Sequence, residues 1–140
     1  MIYFDESRFD TNCLQRRLWA APYRNNYAIK NSVQRSLNVY AAVGQLANGY
    51  FIEYYQGCNS ANFADFIPKL IAACRDSRRK PMLVLDRHTS HTAIYLQEIL
   101  KSHFKIMLQP TQACEFNIVE THWSLAKRHF RKKLAERPLQ

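Results

Sequence analysis

The sequence predicts an α/β domain: a mixed sheet of five principal strands flanked by helices. Three observations predict it. Three strand-like segments open the chain, two of them joined by a short connection containing glycine. Helical and strand-like segments then alternate to the carboxyl end. Finally, Met82, Leu83, Val84 and Leu85 form an apolar run with no polar alternation, the pattern of a strand buried on both faces inside a parallel sheet. An antiparallel meander followed by alternating units requires crossover connections, which set the later strands parallel to the first.

Each element has its own ground. Met1 to Asp5 reads as a short strand. The stretch of about 10–36 is polar and basic, includes RRLWAAPYR and the turn-prone pair Asn25-Asn26, and reads as an insertion. Leu37–Leu46 and Tyr50–Gln56 are rich in β-branched and aromatic residues, and Ala47-Asn48-Gly49 between them has hairpin length. Asn59 or Ser60 then offers a cap for a helix in which Phe63, Phe66, Ile67, Leu70, Ile71 and Cys74 recur at helical spacing, with Pro68 a candidate kink. RDSRRK closes it as a solvated linker. After the strand that follows Pro81, a helix is expected from about Ser90 to His103, with Ile94, Leu96, Ile99 and Leu100 apolar, then a strand from Phe104 to Gln109. The final helix is expected from about Asn117 to Glu136, its core stripe formed by Val119, Trp123, Ala126 and Phe130.

At 140 residues and 47% hydrophobic composition the chain suits one domain over residues 1–140. Lys and Arg number 20 against 11 acidic residues, for a net charge of +9. That balance favours a polyanionic partner, nucleic acid first, over a neutral small molecule. The cysteines at 13, 58, 74 and 114 are too scattered for zinc knuckles or a secreted disulfide framework, and are expected to be buried thiols in a reducing compartment. The amino terminus meets charge at its fifth residue, and no run approaches membrane-spanning length. An intracellular location without a membrane partner is therefore expected.

The chemistry is expected where the apolar strand stops at Asp86, because open α/β sheets place their sites at the carboxyl ends of strands. Glu120 lies one turn into the last helix, on the flank of the core stripe, where the helix dipole favours a carboxylate. Read from residues alone, alternatives stay open. Glu6 rivals Asp5, Asp86 could cap the following helix, and Glu120 could be an ordinary surface residue. His88 and His91 with Asp86 suggest zinc only superficially, since no third histidine or HExxH accompanies them. Lys127, Arg128, Arg131, Lys132 and Lys133 crowd the last helix and suit phosphate contacts, although a cationic helix end also complements the dipole.

The element order resembles that of the ribonuclease-H-like fold, whose first and fourth strands are parallel neighbours, and this implies that Asp5 lies beside Asp86. More specifically, FDESRF with RRLWA, SLNVYAAV, LVLDRHTSH and NIVETHWSLAK resemble successive blocks of the catalytic domain of the mariner-type DDE transposase superfamily, with its related bacterial insertion-sequence transposases. Asp86 and Glu120 stand 34 residues apart, as in that family. The resemblance implies a catalytic, metal-holding set of Asp5, Asp86 and Glu120, with two Mg²⁺ ions, Mn²⁺ substituting. Trp123 falls at the family's packing tryptophan. His91 falls at its frequent histidine, expected to contact DNA phosphate or to orient a carboxylate. The implied activity is phosphodiester cleavage and strand transfer at transposon ends, that is, DNA recombination by transposition. DNA is the implied partner, with a homodimer in the full transposase, in the cytoplasm and nucleoid of a bacterial host or the nucleus of a eukaryotic one. The amino-terminal helix-turn-helix domain of such enzymes is expected to be absent from these 140 residues. Arg87 stands where the family commonly has Asn, and Ile118 where proline is common, which keeps a second reading: a catalytically silent, truncated or domesticated remnant that binds DNA or protein.

Overall fold

The structure, a computed structural model, describes residues 1–11, 35–74, 80–110 and 116–136. Among them the elements run β1 (Ile2–Asp10), β2 (Ser36–Gly44), β3 (Tyr50–Tyr55), α1 (Ser60–Ala73), β4 (Met82–Leu85), α2 (Ile94–His103), β5 (Lys105–Leu108) and α3 (Ile118–Ala135). The strands form one five-stranded sheet in the order β3-β2-β1-β4-β5. The hairpin pairs are antiparallel, whereas β4 runs parallel to both β1 and β5. This is the expected mixed sheet, with the first and fourth strands adjacent.

Alternation along β1 divides the molecule into layers. Ile2 and Phe4 join Tyr40, Leu83 and Leu85 in the larger core, under Phe63 and Phe66 of α1 and Leu96 and Leu100 of α2. Tyr3 and Phe9 face the other way, where Val39 and Ala41 pack against Val119 and Trp123 of α3. Leu83, Val84 and Leu85 are all buried, as their unbroken apolar character requires.

Local chemistry sets the element ends. Asn59 caps α1, its Oδ1 accepting from the Asn62 N–H at 2.8 Å, and the helix continues through Pro68 to Ala73. At the end of β2, Gly44 has φ +137°, and a Cβ there would lie 2.2 Å from the Met1 carbonyl oxygen, so no other residue fits.

Several boundaries differ from those read in the sequence. β1 does not stop at Asp5: it stays paired with β2 as far as Asp10 opposite Ser36, because the backbone ladder is indifferent to the polar side chains of this half. The Thr11 N–H donates to the Arg35 carbonyl at 3.0 Å, so the expected insertion leaves from two joined strand ends. Its residues 12–34 lie outside the described residues, as do 75–79 of the charged linker. α2 starts at Ile94, not near Ser90, because residues 86–93 turn around Asp86 and His91. Ile94 and Ile99 are exposed. The α3 stripe is buried only at Val119 and Trp123: Ala126 is exposed, and Phe130 is half-buried against Phe9. Cys58 is exposed and Cys74 half-buried, against the expectation of buried thiols, while residues 13 and 114 lie outside the described residues.

Candidate active site

The pairing of β1 with β4 sets Ile2 opposite Leu83 and Tyr3 opposite Val84. The same offset carried two residues further brings Asp5 level with Asp86, at the end of β4. Parity sends the Asp5 side chain to the α3 face, where the Trp123 Nε1–H donates to its Oδ2 at 3.1 Å. One side chain sets the third acid against these two. Asn117 is buried, its Oδ1 accepts from the Val119 N–H at 3.2 Å as the cap of α3, and its Nδ2 donates to the Phe4 carbonyl at 3.1 Å. The first turn of α3, carrying Glu120, is thereby pinned to the residue before Asp5.

Burial pushes the Asp5 carboxyl up to about 7, and the charges of Glu120, Glu6 and Asp86 push it in the same direction. A backbone N–H at Glu6 opposes this only in part. A carboxyl held back from ionising by burial and by neighbouring carboxylates is matched to a hard divalent cation, which relieves the repulsion and prefers oxygen ligands. The donor set therefore fits the kind of metal ion that the resemblance implies.

The other face of the same strand carries a neutralised cluster. Glu6 points towards α1 and meets His91, whose ring is buried between Phe4 and Phe63 at centroid distances of 5.2 and 4.7 Å. His91 Nδ1 donates to Asp86 Oδ1 at 2.6 Å. Its Nε2 lies 3.0 Å from Glu6 Oε2, yet the two atoms are not aligned as a hydrogen bond, so that attraction is charge on charge. Burial alone would lower the His91 pKa, but Asp86 and Glu6 overturn that and raise it to about 9, making the ring an imidazolium. Burial would raise Glu6 and Asp86, and the same imidazolium holds both below the ordinary carboxylate range, helped by the Cys58 thiol on Glu6 and the His88 N–H on Asp86.

The structure thus brings Asp86 and Glu120 within electrostatic reach of Asp5, beside the central parallel strands. Asp86 does not cap α2, whose cap position is Ala93 with no side-chain bond. Instead its Oδ1 accepts from the His88 N–H at 2.9 Å and from His91, leaving its other oxygen for a cation. His91 is 1% exposed with both nitrogens turned to carboxylates, so it does not offer itself to a DNA phosphate; it orients Asp86. Arg128, Arg131, Lys132 and Lys133 lie exposed along α3, with Lys127 half-buried. Lys132 and Lys133 have an ion-pair partner in Glu136, at 3.9 and 3.3 Å. Arg87, the departure beside Asp86, donates from Nε to the Gln109 carbonyl at 3.0 Å. Among the described residues it makes no ion pair with the three acids.

Sequence reasoning missed the roles of Asn117, Glu6 and Cys58, and the donor role of Trp123. For Trp123 a signal existed, since it stands three residues after Glu120 and so shares a helix face with it. For Glu6 and His91 none did, because their contact is made by the strand register.

A family model described as DDE superfamily endonuclease matches residues 1–138. No curated protein sequence is significantly similar to the chain. Among solved structures, the chain is similar to one titled as the Mos1 strand transfer complex, with a TM-score of 0.64 at 14% identity, covering 98% of this chain and 47% of that one. A Mos1 mariner paired-end complex with Mn gives a TM-score of 0.63 at 12% identity, covering 98% and 48%. A Mos1 transposase paired-end complex with left transposon end gives 0.59 at 15%, covering the same shares. At these identities the likeness establishes the fold, and the chain spans about half the length of the solved chains it matches.

Proposed function

We propose a function from one premise: the chain belongs to the DDE superfamily endonucleases. On that premise it is the catalytic part of a DNA transposase, which cuts phosphodiester bonds at transposon ends and joins the freed 3′-hydroxyl to target DNA. The observation that carries this reading is the placement of Asp5, held on the α3 face by Trp123 in the strand beside β4, where burial and the charges of Glu120, Glu6 and Asp86 push its carboxyl up. The family depends on divalent metal; that the ions are Mg²⁺, replaceable by Mn²⁺, and that two bind together, belong to the proposal. Asp5, Asp86 and Glu120 would hold such ions, which would supply activation of the attacking oxygen and charge balance at phosphorus and the leaving oxygen.

The chain's own residues prepare that chemistry. Asp5 would hold a cation, with one of its oxygens fixed by the Trp123 Nε1–H. Asp86 shares that duty, oriented by His91 and by the His88 N–H. Glu120 supplies the third carboxylate from a helix whose start Asn117 locks in place. Lys127, Arg128, Arg131, Lys132 and Lys133 draw in the DNA backbone, with sequence-independent affinity that falls as salt rises. Arg87 spends its Nε on a backbone carbonyl and does not neutralise the acids, which favours the active reading over the silent remnant.

The test is nicking of supercoiled DNA by the purified chain in Mn²⁺. Slow nicking that disappears in Asp5→Asn, Asp86→Asn and Glu120→Gln supports the proposal. Metal and DNA binding without nicking above the Glu120→Gln background would leave the chain a silent remnant.

A further inference from the structure

We propose that the chain has a second cation site, for a transition ion of the zinc class, formed by Glu6, Cys58 and His88 on the face of the sheet opposite Asp5. Three segments distant in sequence converge there: β1, the connection from β3 to α1, and the turn after β4. Cys58 Sγ lies 2.9 Å from Glu6 Oε1, and His88 Nδ1 lies 3.9 Å from that same oxygen. All three donor atoms fall within 4.8 Å of one another. Donors around a tetrahedral zinc ion, at bonds of about 2.0–2.3 Å, stand roughly 3.3–3.7 Å apart, so movements of about an ångström close the site.

The donor types select the ion. One thiolate, one carboxylate and one imidazole suit a borderline-soft divalent metal, balance its charge, and are poor ligands for the hard cations that the oxygen-only triad takes. A support for the carboxylate is already present. Glu6 Oε2 is buried without an aligned hydrogen bond and lies against His91 Nε2 at 3.0 Å, the kind of outer contact that orients a ligating oxygen. The ion displaces the Ser90 hydroxyl, now 2.6 Å from His88 Nδ1, and releases to solvent the thiol proton that now bonds Glu6. Cys58 and His88 are both exposed, which gives the ion an entry path and leaves its fourth position to water. Occupancy would tie the strand carrying Asp5 to the turn carrying Asp86, so it should also raise thermal stability.

The inference is independent of the transposase reading, and its test keeps the two apart. The 140-residue chain is titrated with Co²⁺, a spectroscopic stand-in for Zn²⁺, in the presence of excess Mg²⁺ to fill the oxygen site. The expected result is near-ultraviolet thiolate-to-cobalt absorption saturating at one ion per chain, displaced by Zn²⁺ but not by more Mg²⁺. Cys58→Ser abolishes the band, His88→Gln weakens binding by about tenfold or more, and Asp5→Asn and Glu120→Gln leave both intact. In parallel, Zn²⁺ slows alkylation of Cys58 in the wild-type chain. No thiolate band in the wild type, or a band that survives Cys58→Ser, would overturn the second site whether or not the chain nicks DNA.

Discussion

Asp5 and Glu6 are consecutive residues of one strand with the same charge, and they meet opposite environments. Glu6 faces the α1 side, where the His91 imidazolium lies 3.0 Å away and holds its carboxyl low. Asp5 faces α3, where it meets an indole donor, and burial and the charges of nearby carboxylates push its carboxyl up to about 7. The difference separates holding the molecule together from holding a ligand. On the Glu6 face the protein supplies a countercharge in His91; on the Asp5 face the proposed metal ions would supply it. Asp86 stands between the two, with Oδ1 committed to His91 and His88 and its remaining oxygen available.

The comparison breaks most readily at activity. Asp5→Asn, Asp86→Asn or Glu120→Gln should each reduce nicking about a thousandfold or more, since several kcal/mol of charge stabilisation go with the ions. A double variant should be no worse than a single, because the carboxylates act as one unit. Residual nicking within tenfold of wild type would show that the α3 face is not where the ions act.

Stability separates the faces with opposite signs. Glu6→Gln removes one of the two carboxylates that balance a buried imidazolium and should cost about 2–4 kcal/mol in urea unfolding. Asp5→Asn removes repulsion and should stabilise the metal-free chain. If both substitutions destabilise equally, the contrast drawn between the two faces is wrong.

The pH dependence should follow the same division in chelated protein. Asp5 has a folded pKa raised from 3.8 to about 7, so the stability it contributes is full at low pH and is lost as pH rises through that range. His91, raised from 6.5 to about 9, likewise contributes stability that is lost as pH climbs past its folded value. Glu6 and Asp86, both lowered, act oppositely and withdraw stability in acid. Melting temperatures of the metal-free chain should therefore decline from mildly acidic to alkaline pH. Saturating Mg²⁺ should flatten the part owed to Asp5 and leave the part owed to His91.

The smallest expected effect concerns the basic helix. Arg128→Glu and Arg131→Glu should each lower the slope of log affinity for DNA against log salt by about one. Lys132→Glu and Lys133→Glu should do less, because Glu136 already shares those charges. Equal effects at all four positions would mean that the Glu136 pairs do not persist in solution.

What could be read in the sequence follows the range of the interactions. The buried strand Met82–Leu85, the hairpin around Gly49 and the capped helix at Asn59 declare themselves locally, through apolar runs, a turn glycine and helical spacing. Asp86 was legible as the polar end of an apolar strand, and Glu120 as an acid in the first turn of an amphipathic helix. The second half of β1 was not, because Glu6 to Asp10 look polar and earn their place through the ladder with β2. Nor was the contact of Glu6 with His91, 85 residues away in sequence, which exists only once β1 lies against β4. His91 reads in the sequence as a residue that contacts DNA phosphate or orients a carboxylate; the aromatic walls of Phe4 and Phe63 make it an interior one, bonded to Asp86.

The account rests on the claim that the hard cation of the proposed chemistry, Mg²⁺ or Mn²⁺, goes to the face of Asp5 and not to that of Glu6. Mn²⁺ binding followed by the loss of the free-ion electron paramagnetic resonance signal tests this directly, with wild type, Asp5→Asn and Glu6→Gln compared at a temperature where circular dichroism shows all three folded. The account predicts that Asp5→Asn abolishes the binding, while Glu6→Gln keeps it within a few-fold of wild type. Binding that survives Asp5→Asn and disappears in Glu6→Gln would contradict it.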